Sequence, residues 1–424
     1  MLVANCNFCI FAALIIKKII AAMLDSEDVK PLLNDYNRNL NATKTAFKRY
    51  LYNKINWNAR LIGIKGARGV GKTTLMLQYI KENIKKRESA FYASLDNMWF
   101  NKYDLADLIE YLYNHGVTNV FIDEVHKLKE WQRYLKNFYD NYPDLKIVYT
   151  GSAMLAIDHS KADLSRRQTL YNMNGLSFRE YLEFNGIVNG EPVALDDLVQ
   201  NHATIAERYA SATNILSHFS AYLQKGYYPF FREAGSDYYT HLADIARVVI
   251  DTDVPAVEDL EFATLGKLKR LLMVVAGSLP FIPNISKLSE QLQTSRDYTI
   301  KMLNILDRAG LLICLSSPAK TYKHLASPQK IYLDNANMMY ALSTNVMTGT
   351  ARETFFANQL KVNHTLMIPQ AGDFLVDEKY TFEVGGNKKS YRQIADMPDS
   401  FLAVDDMAVG WANRIPLWMF GMMY

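Results

Sequence analysis

The sequence is poor in cysteine, in net charge and in uninterrupted apolar runs, and each scarcity removes a class of protein. Three cysteines, Cys6, Cys9 and Cys314, are an odd number for 424 residues and supply no disulfide framework, so a reducing, cytoplasmic setting is expected. Cys6 and Cys9 form a C-x-x-C pair, but no second pair accompanies them to close a zinc site. The formal charge of +3 leaves 47 basic side chains nearly cancelled by 44 acidic ones, so any cationic surface has to be local. The N-terminal apolar stretch, residues 8–24, is broken in its middle by Lys17 and Lys18, which leaves both parts short of the ~20 residues that span a bilayer. It also lacks the basic start of a secretory signal. No membrane partner is expected. Residues 1–24 read as an apolar leader, with Met23 as a candidate natural start and a short amphipathic helix as the alternative.

What is present is a phosphate cradle. Residues 61–65 are an apolar strand running into Gly66-Ala67-Arg68-Gly69-Val70-Gly71-Lys72-Thr73-Thr74, a G-x-x-x-x-G-K-T sequence followed by a predicted helix. The glycines let backbone N–H groups turn inward onto phosphate oxygens, and the helix adds its positive end. Lys72 would reach the β- and γ-phosphates, and Thr73 would offer its hydroxyl to Mg²⁺. Downstream, Asn119–His126 is a second apolar strand ending in adjacent carboxylates. Asp123 would hold Mg²⁺, usually through water, and Glu124 would polarise the attacking water. Binding alone needs only the first acid, so the pair predicts an ATPase. No guanine-selective N-K-x-D motif follows the core strands, which favours ATP.

Strands at 61–65, 89–94, 119–126 and 144–154 alternate with helical patterns, which predicts a parallel α/β sheet covered on both faces. The fourth strand ends in Thr150-Gly151-Ser152, where either hydroxyl could meet the attacking water or the γ-phosphate; a simple turn is the alternative. Arg166 and Arg167 precede a predicted fifth apolar strand. Either could act as an arginine finger in this site or a neighbouring subunit's, or could merely be solvated.

The P-loop, the Val-Phe-Ile-Asp-Glu strand, Tyr149-Thr-Gly-Ser152, the Arg166-Arg167 pair, Gly175-Leu-Ser-Phe-Arg-Glu-Tyr181 and Gly226-Tyr-Tyr-Pro229 together resemble a bacterial and archaeal family of AAA-type ATPases. In that family an ATPase core is joined to a C-terminal domain of unknown function. The resemblance implies an ATPase core over 25–175 and a helical lid over 176–260, and it admits a homo-oligomeric ring.

Two further units are expected. Residues 261–340 carry two amphipathic helices, 285–293 and 296–310, followed by two strands around a turn, the pattern of a winged helix. In a version that binds double-stranded DNA, exposed Ser295, Arg296, Tyr298, Thr299 and Lys301 would enter the major groove, with Lys320, Lys323 and His324 on phosphates. The alternative is a protein-interaction module. Residues 341–424 place Glu353 on a helix, Asp373 in a turn and Glu383 on a strand, resembling the nuclease fold known for its Asp…Glu-x-Lys signature. Gly385 stands where the lysine should be, so cleavage is not expected, although Lys388 or Lys389 could swing in. The expected function is a Mg-ATP-driven switch or remodeller acting on DNA or a protein partner, the latter engaged through the C-terminal domain. The alternative is an ATP-gated DNA-binding effector or nuclease.

Overall fold

The computed structural model describes residues 24–153, 164–278, 282–318 and 327–424. The leader up to residue 23, the end of the expected fourth strand at Met154, and Lys320, Lys323 and His324 lie outside the described residues. No helix among those described is long and apolar enough to cross a membrane.

Helix α1 (Ser26–Ala42) starts on a capping box in which the Asp25 side chain accepts from Asp28 N while the Asp28 carboxylate accepts from Asp25 N. Its buried stripe, Val29, Leu32, Tyr36 and Leu40, packs on β2 (Ala90–Ser94) and α2 (Lys72–Asn83). With β1 (Leu61–Lys65), β3 (Asn119–Asp123), β4 (Lys146–Gly151) and β5 (Thr169–Asn172), β2 forms a five-stranded sheet in the order β2-β3-β4-β1-β5. Every pairing in it is parallel. The inner strands β1, β3 and β4 are buried almost throughout, as the helices on either side require. Helices α3 (Leu105–Asn114) and α4 (Trp131–Asn141) supply the crossovers between β2 and β4.

The fifth strand is a correction. It was expected to be apolar, yet β5 is mostly exposed because it is an edge, paired on one side only with β1. The expected lid over 176–260 is also divided by its packing. Helices α5 (Phe178–Phe184), α6 (Leu195–Ala212) and α7 (Ile215–Gln224) share a core with the C-terminal residues Phe355, Phe382, Trp418 and Phe420. Tyr227, Tyr228 and the buried face of α8 (Tyr238–Val248) instead belong to the core beneath the parallel sheet.

Beyond them, α9 (Phe262–Ala276), α10 (Ile285–Gln291) and α11 (Arg296–Arg308) pack together beside the antiparallel hairpin β6 (Leu312–Leu315) and β7 (Lys330–Leu333). Thr299, expected on the exposed face of α11, is fully buried, bonding to Ser289 and to the Ser295 carbonyl. Tyr298 is half-buried, and its hydroxyl meets Thr264 on α9. Ser295, Arg296, Asp297 and Lys301 are the exposed remainder.

Helices α12 (Ala336–Leu342) and α13 (Thr348–Leu360) lead into a mixed sheet ordered β12-β11-β10-β9-β8. These strands are β8 (Leu366–Met367), β9 (Phe374–Val376), β10 (Tyr380–Gly385), β11 (Ser400–Val404) and β12 (Arg414–Pro416). Pairing is antiparallel from β8 to β10 and parallel from β10 to β12.

Candidate functional site

At the carboxyl ends of β1, β3 and β4 the expected residues converge. Gly69 and Gly71 take φ of +81° and +98°, left-handed values that a side chain would resist, and Gly71 caps α2. Lys72, 5% exposed, donates from Nζ to the carbonyls of Gly66 at 2.9 Å and Ala67 at 3.0 Å, so its ammonium lies across the loop that would hold phosphates. Burial pushes its pKa below the ordinary lysine range, against the pull of Glu124 and Asp123.

Thr73 Oγ1 donates to Asp123 Oδ2 at 2.5 Å. Tyr92 donates to the same oxygen at 3.0 Å, and Thr150 donates to Oδ1. The Asp123 carboxylate is therefore held entirely by hydroxyls, donors that a cation can displace or share. Neighbouring threonine and carboxylate oxygens are a donor set that Mg²⁺ accepts. Thr150 Oγ1 also accepts from Glu124 N at 3.1 Å, which fixes the turn after β3. Glu124 sits at φ +58°, a strained conformation for a non-glycine residue that aims its side chain away from the strand line. Its Oε2 is buried without a hydrogen-bond partner, and burial raises its pKa, with Lys72 opposing. Ser152 is buried just beyond the end of β4.

Arg167 does not join this group. It pairs with Asp140 on α4 at 2.9 and 3.1 Å. It precedes Thr169, whose register partner Ile62 lies near the amino end of β1, so Arg167 stands at the sheet edge opposite the P-loop. Arg166, beside it, is exposed.

Several functional candidates were missed from sequence. His126, buried two residues past Glu124, places Nε2 at 3.4 Å from both Glu124 Oε2 and Asp253 Oδ1. Its adjacency to the acid pair was the available signal. Asp253 also takes Arg68, and Arg49 reaches Val70 in the P-loop; neither had a signal, because each contact spans a long stretch of chain. The buried Arg49 further donates to both Glu180 carboxylate oxygens at 3.0 Å and to the carbonyls of Asn174 and Gly175 at 2.7 and 2.8 Å.

The C-terminal acids are arranged differently. Lys330 Nζ, from β7, lies 2.7 Å from Glu353 Oε2 and 3.2 Å from Asp373 Oδ1. Lys389 Nζ pairs with Glu383 on β10. A Cβ built on Gly385 would lie 2.8 Å from Lys389 Cγ, so the Lys389 stem runs where a side chain at 385 would begin. A lysine thus reaches Glu383 from six residues on. Among the described residues, no group of three or more His, Cys, Asp or Glu is placed to hold a metal ion.

A glycine-turned loop, its lysine and threonine, and an acid pair on the adjoining parallel strands define a P-loop nucleoside-triphosphatase fold. Residues 58–182 match the family model described as AAA domain, and this part of the chain is an AAA-type P-loop ATPase domain. The uncharacterized protein MJ1637 of Methanocaldococcus jannaschii is 26% identical over 389 residues, covering 84% of this chain and 81% of that protein. Among solved structures, DnaA of Aquifex aeolicus bound to AMPPCP aligns at 14% identity over 67% of this chain and 89% of its own, with a TM-score of 0.26. The Hsp104–ADP complex of S. cerevisiae aligns at 14% identity over 64% of this chain and 40% of its own, with a TM-score of 0.29. At these scores neither informs the reading of the site.

Proposed function

We propose that the chain is a Mg²⁺-dependent ATPase that works as a nucleotide-driven switch or remodeller on a DNA or protein partner. The observation that carries this is the division of labour between neighbouring acids: Asp123 is saturated by hydroxyls while Glu124 keeps one oxygen buried and unpartnered. Lys72 leaves the Gly66 and Ala67 carbonyls for phosphate oxygens when a triphosphate enters, exchanging neutral acceptors for charged ones. Thr73 and Asp123 would hold Mg²⁺, which supplies charge neutralisation on the phosphates when bound. Ser152, just past β4, would add a hydroxyl to the attacking water or the γ-phosphate. Glu124 orients and deprotonates that water, and its raised pKa makes it a stronger base than an ordinary glutamate. A homo-oligomer is the arrangement in which Arg166 or Arg167 would reach a phosphate, because the sheet separates Arg167 from its own P-loop.

The test is steady-state ATP hydrolysis by the purified chain with and without double-stranded DNA, using Glu124→Gln as the blank. Turnover should fall by about 100-fold or more in the variant while nucleotide binding persists. Wild-type hydrolysis in Glu124→Gln would remove the base assignment. Stimulation by DNA selects α11, with exposed Arg296 and Lys301, as a nucleic-acid reader; indifference selects a protein partner.

A further inference from the structure

The segment that joins the ATPase half to the C-terminal half sends one carboxylate back into the phosphate site. Helix α8 runs directly into a π-helical turn, Val249–Asp253, and α-helical geometry resumes at Val254. Such turns re-aim a side chain that regular helix would point elsewhere. The re-aimed residue here is Asp253, 1% exposed, and it meets two groups of the site. Arg68 of the P-loop reaches it from Nη2 at 3.2 Å and from Nε at 3.4 Å. His126 Nε2 lies 3.4 Å from it and equally 3.4 Å from Glu124 Oε2.

Two constraints follow. His126 Nε2 stands between the two carboxylates without a hydrogen bond to either, so a full bond to one is made at the other's expense. The Arg68 side chain is 25% exposed, so its pair with Asp253, more than close packing, fixes where it points. Because Asp253 touches both Arg68 and the histidine beside Glu124, one carboxylate links the P-loop guanidinium to the turn after β3. Buried carboxylates are costly without a partner, and Asp253 has a second one waiting in His126.

We propose that Asp253 is a positioning residue that holds Arg68 away from the phosphate cradle in the nucleotide-free protein and yields it to the γ-phosphate of a bound nucleoside triphosphate. His126 then closes on Asp253 alone, and Glu124 Oε2, which has no hydrogen-bond partner, is left to accept from water. Triphosphate binding thereby leaves the base to water and, in the same exchange, unties from Arg68 the turn that leads into α9. This rests on the ATPase reading and adds to it a cis-acting arginine and the residue that restrains it.

The test is a double-mutant cycle on the full chain, reading the equilibrium dissociation constants of Mg²⁺-β,γ-methylene-ATP and of ADP by calorimetry for wild type, Asp253→Asn, Arg68→Ala and the double variant. Asp253→Asn should tighten the triphosphate analogue by about five-fold or more, with a smaller change for ADP, and should change neither ligand when Arg68 is absent. Unchanged or weakened analogue binding in Asp253→Asn, or the same change in both arginine backgrounds, would overturn the proposal while leaving the ATPase reading standing. Failure of the wild type to bind either nucleotide would overturn that reading itself. Should Asp253→Asn not fold, Arg68→Ala still decides the matter: the analogue must lose more affinity than ADP, and equal losses reject the arginine's role.

Discussion

Two acid clusters stand in one chain, and they are neutralised in opposite ways. Around Asp123 the donors are the hydroxyls of Thr73, Tyr92 and Thr150, which satisfy hydrogen bonding without cancelling charge. Around Glu353, Asp373 and Glu383 the Tyr332 hydroxyl and the Val384 N–H also donate, but the partners that set this cluster apart are Lys330 and Lys389, which are themselves the counter-ions. The first cluster keeps an electrostatic demand that a divalent cation can meet. The second has met much of its own through its lysines, and among the described residues its acids form no group placed to hold a metal ion. Carboxylate placement alone does not define a metal site; the charge of what surrounds it does.

The comparison breaks most easily at the P-loop. Lys72→Ala should lower ATP turnover by at least about 100-fold, since among the described residues no other ammonium lies across the loop; a turnover assay with saturating Mg²⁺ checks it. At the other cluster, Lys330→Met leaves Glu353 and Asp373 facing each other, both mostly buried, and should cost about 2 kcal/mol in a thermal or urea melt. The same variant sharpens the contrast, because Mg²⁺ should restore part of its melting temperature and leave the wild type's C-terminal core unaffected. No Mg²⁺ response in the variant would mean that the acids are too far apart to share an ion.

A smaller effect concerns pH. Burial pushes the Asp253 pKa up, but His126 and Arg68 together hold it below the ordinary 3.8. Its folded value is depressed, so the stabilisation is fully present above the unfolded value and is lost as pH falls through the folded one. Asp253→Asn should therefore show a shallower decline of urea midpoint than the wild type below about pH 4. The least change is expected from Tyr92→Phe, which removes one of the hydroxyls on Asp123: a loss of about 1 kcal/mol in the same melt.

The parts of the site that sequence revealed are those in which chemistry is written in consecutive residues. Gly66 to Thr73 and Asp123-Glu124 each need a strand end and a turn, and local spacing determines both. Arg49, Tyr92 and Asp253 are functional only through the partners that folding brings to them, from Val70, Asp123 and Arg68 respectively. The helices and hairpin of 285–333 were legible from periodicity, yet periodicity did not reveal that Thr299 faces inward, because threonine suits either face. Likewise β5 looked apolar, and only the sheet order shows that it is an edge. Gly385 looked like a missing lysine, and only the path of the chain shows Lys389 beside Glu383.

Arg49 has a mechanical consequence. One rigid guanidinium grips the P-loop at Val70, the strand exit at Asn174 and Gly175, and Glu180 inside α5, whose other face is built into the C-terminal core. Any travel of the loop as phosphates come and go is thus applied to α5 as a pull at a single stiff joint. The C-terminal core is tied to the P-loop through this short linkage, alongside the longer route through α8, and a displacement of Val70 would reach it through one side chain.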